Sequence, residues 1–405
     1  MEAPFSITER STPAANLLSF HFFLTDLTSR SITLLDGLTK ALVTTSAVAK
    51  TERVFLIGAQ FDGRTSVEVQ ESLDELSQLA DTAGGFVVER GVQVLSRPTA
   101  ATFIGSGKAA EFADYCKEKE IDTVIFDDEL SPAQTKNLEN TFQCKILDRT
   151  ALILDIFAQR AQSREGKLQV ELALLEHLLP RLTGYWVHLS RQKGGIGMRS
   201  GEGETQLEAD RRRTQEKIHR IKRELQTVQR QRTTRREGRR RNLWPLASIV
   251  GYTNAGKSSL FNLLTGSEVM AQDLLFATLD TTVRKTTLPH GCDIILSDTV
   301  GFISDLPTDL VAAFRATLEE VVEADLILHL RDMSDPDSAA QAADVSSILR
   351  DLGIDSDDRD RVLEVWNKAD LVDGEPGFRQ DGIPVISALT GAGIDHLLRH
   401  PHRRD

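Results

Sequence analysis

Cysteine is scarce in this 405-residue chain: Cys116, Cys144 and Cys292 are odd in number, lie far apart and form no CxxC pair. That spacing excludes a disulfide framework or a cysteine-built zinc module and points to a reducing compartment. Long apolar runs are missing too. No stretch approaches the roughly 20 apolar residues a membrane-spanning helix needs, so no membrane is expected as a partner. Residues 17–24 are largely apolar, but Glu2 and Glu9 precede them where a secretory signal would be basic, and Asp26 follows without a small-residue cleavage pattern. Residues 1–50 therefore read as an extension of weak order.

Positive charge is also short. Against 60 Asp and Glu there are 48 Lys and Arg, a formal net charge of −12, which taken alone argues against a polyanionic partner. The distribution reverses that reading. Residues 211–241 hold fourteen Lys and Arg against three Glu, a net +11, which leaves −23 on the rest of the chain. Two readings stay open for this segment: a solvated helix face running into an arginine-rich linker, or an electrostatic footprint for RNA phosphates.

With 40% hydrophobic and 27% charged residues, the composition is that of a folded chain long enough for two to three domains. From residue 51 to 148, β-rich runs at 54–57, 91–95 and 123–126 alternate with helical patterns at 67–83 and 108–119, which predicts a small α/β domain. Over 149–242 the pattern becomes helical. Leu168, Leu172, Leu175 and Leu179 form one apolar stripe, and Ile218, Ile221, Leu225 and Val228 form another. Two such stripes predict a helical hairpin, and the glycine-rich stretch 193–204 between them predicts a flexible connecting loop. From 243 to 405, apolar runs at 247–250, 293–296, 326–328, 362–366 and 384–386 predict a mainly parallel sheet covered on both faces.

The chemistry concentrates in this last region. Gly251-Tyr252-Thr253-Asn254-Ala255-Gly256-Lys257-Ser258 satisfies G-x-x-x-x-G-K-[ST] between a strand and an apolar helix. Glycines there let backbone N–H groups turn around a β-phosphate, Lys257 reaches the β- and γ-phosphates, and the Ser258 hydroxyl ligates Mg²⁺. Asp298-Thr299-Val300-Gly301 follows the next strand, where Asp298 can hold Mg²⁺ through its water shell and the Gly301 N–H can meet the γ-phosphate. Asn367-Lys368-Ala369-Asp370 supplies a carboxylate that accepts from guanine N1–H and its 2-amino group, selecting GTP over ATP. Ser387-Ala388-Leu389 can offer a backbone N–H to guanine O6.

Taken together, these motifs resemble the guanine-nucleotide domain of translation-factor-related GTPases. Phe276-Ala277-Thr278-Leu279-Asp280 and Asp298 to Ile303 are similar specifically to the HflX family. The similarity continues outside that domain, through Phe103-Ile104-Gly105-Ser106-Gly107-Lys108, Leu130-Ser131-Pro132-Ala133-Gln134, residues 151–160, and 191–208, and so covers about residues 51–400. The resemblance implies a Ras-like P-loop GTPase domain, a Mg²⁺-dependent GTPase, and a cytoplasmic monomer that binds the large ribosomal subunit and its rRNA to split or rescue stalled ribosomes. It also implies that Thr278 completes the Mg²⁺ shell, with Thr281 and Thr282 as alternatives, and that Phe276 to Asp280 line the nucleotide. Lys257, Thr278 and Gly301 are then the groups nearest the reaction. Two other functions stay open: a nucleotide-gated RNA-binding module, and a GTPase regulating a non-ribosomal partner.

Phe302 stands where many small GTPases place a water-orienting glutamine, and a phenyl ring offers no such hydrogen bond, so slow intrinsic hydrolysis is expected. Gly105-Ser106-Gly107-Lys108 imitates the end of a phosphate loop, yet Ala109 stands where Ser or Thr is needed, so it reads as a turn opening a helix. His177 and His188 read as surface or packing residues rather than metal ligands. A short last helix within 393–400 is expected, leaving the guanine side thinly walled; the resemblance implies a further C-terminal domain in some members that is not expected here.

Overall fold

The computed structural model describes residues 51–61, 63–184, 201–241, 244–267, 275–304, 318–372, 377–378 and 382–399. The expectations for residues 1–50, for 185–200 and for His188 lie outside them.

Four strands, β1 (Arg53–Gln60), β2 (Phe86–Val94), β3 (Thr123–Phe126) and β4 (Lys145–Asp148), form a wholly parallel sheet in the order β2-β1-β3-β4. β1 is buried on both faces through Val54, Phe55, Leu56 and Ile57, which is why its sequence reads as a continuous apolar run rather than an alternation. The connecting helices are α1 (Ser66–Thr82), α2 (Ser106–Glu118) and α3 (Pro132–Phe142). Capping boxes start two of them: Thr65 with Glu68, and Ser131 with Gln134. Gly105 caps α2, and Lys108 within it pairs with Glu111 and lies over the Phe112 ring. The lysine of the imitation phosphate loop is thus committed to its own helix.

Three helices follow, α4 (Arg149–Arg160), α5 (Arg164–Gly184) and the long α6 (Gly201–Arg241). Leu172 and Leu175 pack on Ile218 and Ile221, with Leu168, Leu179 and Leu225 around them, so the two apolar stripes meet as a hairpin. Each such aliphatic side chain contributes about 2 kcal/mol on burial. Cross-helix ion pairs Lys217–Glu171 at 2.6 Å and Lys222–Glu176 at 2.8 Å flank the seam. The expected loop over 193–204 needs correction at its end, because α6 already begins at Gly201. Glycine is tolerated there because the first turn has few intrahelical bonds to lose.

The second sheet has seven strands in the order β10-β11-β9-β8-β5-β7-β6. They are β5 (Leu246–Gly251), β6 (Thr282–Thr287), β7 (Asp293–Asp298), β8 (Leu326–Asp332), β9 (Val362–Asn367), β10 (Gly377–Phe378) and β11 (Pro384–Val385). β5, β7, β8, β9 and β11 run parallel, while β6 and β10 are antiparallel edges. Around the sheet are α7 (Lys257–Thr265), α8 (Ser338–Asp351) and a five-residue last helix, α9 (Ile394–Leu398). The two sheets share a core. One buried cluster contains Leu152, Ile153 and Phe157 of α4 together with Phe276, Leu279, Val300, Phe302 and Ile303 beside β5. Phe157 and Phe276 meet edge to face, with centroids 4.7 Å apart.

Candidate functional site

β5 delivers the chain to Gly251, whose open conformation is required by packing: a Cβ there would lie 2.3 Å from the Leu330 carbonyl oxygen. The loop then turns through Asn254 and Gly256, both at positive φ, before α7 starts at Lys257. At Gly256 a Cβ would sit 2.3 Å from Asn367 Nδ2, so glycine admits the neighbouring motif as well as the turn. Thr253 N–H donates to the Phe302 carbonyl at 2.7 Å and Phe302 N–H to the Gly251 carbonyl at 3.2 Å, which ties this loop to the segment after β7 as if the two were strands. Thr253, Asn254, Gly256, Lys257, Ser258, Phe276, Ala277, Thr278, Thr299 and Gly301 line one cleft. Gly301 approaches so closely that a Cβ on it would meet Thr253 and the Lys257 ammonium.

Lys257 is buried and donates to the Tyr252 carbonyl at 2.6 Å. Burial lowers its pKa to about 8 against the opposing pull of Asp298. Asp298 is fully buried and its pKa is raised by that burial, offset by Lys257 and by the hydroxyls that donate to it. Those hydroxyls are Ser258 at 2.8 Å and Thr278 at 3.1 Å, both on Oδ2, and they lie 2.8 Å from each other. Asp298 Oδ1 is buried with no hydrogen-bond partner among the described residues. Two hydroxyls and a carboxylate with a spare oxygen form a hard-oxygen donor set of the kind a divalent cation takes.

At the other end of the loop, Asn367 bridges three pieces of chain. Its Nδ2 donates to the Ala255 carbonyl at 2.8 Å and its Oδ1 accepts from Ala388 N–H at 2.9 Å. Lys368 adopts positive φ and pairs with Asp332 at 2.7 Å, and Ala369 N–H returns to the Ile386 carbonyl. Asp370 accepts from the Ser387 hydroxyl at 2.5 Å, which holds its carboxylate beside the Ser387-Ala388-Leu389 turn, where Leu389 is exposed. The four motifs of the sequence are therefore brought to one edge of the sheet, at the carboxyl ends of β5, β7, β9 and β11.

Not every expected residue faces that edge. Leu279 and Val300 are core residues, and Thr299, though in the cleft lining, spends its hydroxyl on the Ile249 carbonyl of β5. Phe302 is 1% exposed and points into the core shared with α4. Asp280, expected beside the nucleotide, lies outside the cleft lining, and its carboxylate accepts from Gln162 N–H, Ser163 N–H and the Ser163 hydroxyl. The unmet backbone donors at the start of α5 attract it there. Tyr252 likewise sends its hydroxyl away from the cleft, to Ser304 and Glu75.

That contact opens a network absent from the sequence reading. Arg149, 4% exposed, pairs with Glu75 and with Asp127 at 2.8 Å, and donates to the Ser304 carbonyl at 3.3 Å. Glu75 stands on the otherwise apolar inner face of α1, between Leu73 and Leu76, and an acid so placed needs a buried cation; that was the available signal. A larger cavity of about 270 Å³ lies beside α9, its lining including Leu263, Leu288, Ile394, Thr286 and Asp395, away from these groups. No helix among the described residues is long and apolar enough to cross a membrane.

Comparison with known proteins covers nearly all of the described chain. Three family profiles match: one described as GTP-binding GTPase N-terminal at residues 70–158, one as GTP-binding GTPase middle region at 160–239, and one as 50S ribosome-binding GTPase at 247–368. The GTPase HflX of Magnetococcus marinus is 45% identical over 356 residues, covering 87% of this chain and 82% of that protein. The GTPase HflX of Escherichia coli is 46% identical over 335 residues, covering 81% and 78%. Among solved structures, a GTP-binding protein from Sulfolobus solfataricus in complex with GDP aligns at 23% identity and a TM-score of 0.45, over 86% of this chain and 96% of that one.

Proposed function

The chain belongs to the HflX family and is a GTP-hydrolysing P-loop enzyme, and from that premise we propose that it acts in the cytoplasm on the large ribosomal subunit, splitting or rescuing stalled ribosomes. The observation that carries the ribosomal part is the charged face of the hairpin. Ile218 and Ile221 bury one side of α6 against α5, which leaves Arg211, Arg212, Arg213, Arg220, Arg223 and Arg230 exposed on an otherwise acidic protein. Arginines exposed along one helix suit rRNA phosphates, and the acidic remainder disfavours other orientations of approach.

In the same reading, backbone N–H groups of 254–258 and Lys257 hold the β- and γ-phosphates, and the Gly301 N–H meets the γ-phosphate. Ser258 and Thr278 would hold Mg²⁺, with Asp298 beside them. The orphaned Asp298 Oδ1 fits that assignment, since it leaves an acceptor free for a donor from the cation's hydration shell if the ion were bound. When bound, Mg²⁺ neutralises charge that develops on the phosphate oxygens. Asp370, held by Ser387, reads guanine, and Asn367 keeps that reader in register with the phosphate loop. Phe302 gives the attacking water no partner, so hydrolysis on the free protein is slow and rises when the ribosome orders the cleft.

Sedimentation with purified ribosomal subunits in GTP, in GDP and in a non-hydrolysable GTP analogue tests the reading. Co-migration with the large subunit that requires the γ-phosphate is expected. Binding that ignores the nucleotide, or that prefers a non-ribosomal RNA, would refute it.

A further inference from the structure

A helix that begins with serine usually completes its cap reciprocally: the serine hydroxyl takes the N–H three residues on, and an acidic or amide side chain at that third position reaches back to the serine N–H. At the start of α5 only half of this device is local. The Ser163 hydroxyl accepts from Gly166 N–H at 2.8 Å, but Gly166 has no side chain to return. Asp280 supplies the missing carboxylate from the other domain. One of its oxygens accepts from Ser163 N–H at 2.7 Å and Gln162 N–H at 2.8 Å, and the other accepts from the Ser163 hydroxyl at 2.5 Å. The fit is tight, for a Cβ on Gly166 would lie 2.2 Å from Asp280 Oδ1. The glycine is the vacated space into which Asp280 reaches.

Two residues before Asp280 stands Thr278, whose hydroxyl lies on Ser258 and Asp298. The same segment is held further upstream by Leu275 N–H on the Thr82 hydroxyl at 3.3 Å and by Phe276 against Phe157. We propose that Asp280 is a positioning residue: by completing the cap of α5 in trans it holds Thr278 at the cation site, so that the seating of the hairpin and the placement of Thr278 are one event. The inference rests on the reading that Thr278 joins the Mg²⁺ shell. Pulling α5 from its seat releases Thr278, and a γ-phosphate that fixes Thr278 tightens the seat in return.

Asp280→Ala and Gly166→Ala attack the contact from opposite sides. The second is a useful complement, because alanine is the better helix former and its Cβ would fall 2.2 Å from the Asp280 carboxylate, against 3.1 Å from the Ser163 hydroxyl. The readout is the affinity of fluorescent GDP and of a fluorescent non-hydrolysable GTP analogue, both with Mg²⁺, on the full chain. Both variants are expected to weaken the GTP analogue about five- to tenfold while leaving GDP within twofold, and Asp280→Asn, which keeps an acceptor, is expected to fall between. An unchanged ratio of the two affinities, or an equal loss of both, overturns the proposal. Thr278→Ala separates the layers. If it lowers the ratio while Asp280→Ala and Gly166→Ala do not, only the coupling fails; if it too leaves the ratio unchanged, the assignment of Thr278 fails and the coupling with it.

Discussion

The Tyr252 hydroxyl accepts from the Ser304 backbone N–H at 2.8 Å, so the second residue of the phosphate loop holds the chain three residues beyond Gly301. The same oxygen contacts the Ser304 hydroxyl at 2.9 Å and donates to Glu75 of the first domain. Tyr252→Phe removes all three contacts with little change of shape and leaves a half-buried N–H unpaired. A loss of about 1–3 kcal/mol is expected in denaturant unfolding of the nucleotide-free protein. A midpoint within experimental error of the parent would show that water replaces the hydroxyl.

Lys257 predicts a proton signal. Burial holds its pKa at about 8 in the free protein, far below its ordinary value, and phosphate oxygens placed beside it favour the charged form. Nucleotide binding at pH 8 should therefore take up about half a proton per site, which calorimetry in buffers of differing ionisation enthalpy will read. The stability linkage has the matching sign. Between pH 8 and its ordinary value the unfolded lysine binds a proton that the folded one does not, so Lys257 contributes stability that increases as pH rises through that window. Lys257→Met should be more stable than the parent at pH 7, with the difference shrinking towards pH 10.

Replacing Phe302 by glutamine will not restore a water-orienting group. The side chain lies in the core shared with α4, 1% exposed, so the amide would be buried in an apolar cluster. A stability cost of about 3–4 kcal/mol is expected, with no gain in single-turnover hydrolysis. A tenfold faster turnover would mean that the position reaches the cleft.

Asp370→Asn exchanges an acceptor for a mixed donor and acceptor. Guanine N1–H and its 2-amino group then lose the carboxylate, and GTP affinity should fall on the order of a hundredfold while xanthosine triphosphate gains. Titration with both nucleotides checks this. Unchanged GTP affinity would remove Asp370 from base recognition.

Much of the fold was legible because its signals are local. Strands buried on both faces read as apolar runs, the two stripes of the hairpin announce each other, and the phosphate-loop, Asp298, Asn367 and Ser387 motifs each end a strand. What stayed hidden depends on partners distant in sequence. β6, with the sequence Thr-Val-Arg-Lys-Thr-Thr, is an edge strand with one exposed side, and its alternation is too polar to stand out. β4 is four residues long and is buried by helices that the sequence places only loosely. Asp280 looked like part of the nucleotide cleft because its neighbours are, yet its carboxylate is held by Gln162 and Ser163 at the start of α5. The donors that decide its direction lie more than a hundred residues upstream.

The β6–β7 ladder sets a mechanical limit on this enzyme. Thr282 is already paired with Asp298 in register, so the carboxylate and the far end of the Thr278 segment are fastened to each other through the sheet. Thr278 stands four residues before that fastening. With the ladder intact, its excursions are those of a short tether, confined to about 14 Å from Thr282 even when fully stretched. The segment therefore works as a latch on a fixed pin. It is seated with the Thr278 hydroxyl 2.8 Å from that of Ser258, and the short tether keeps that seat close.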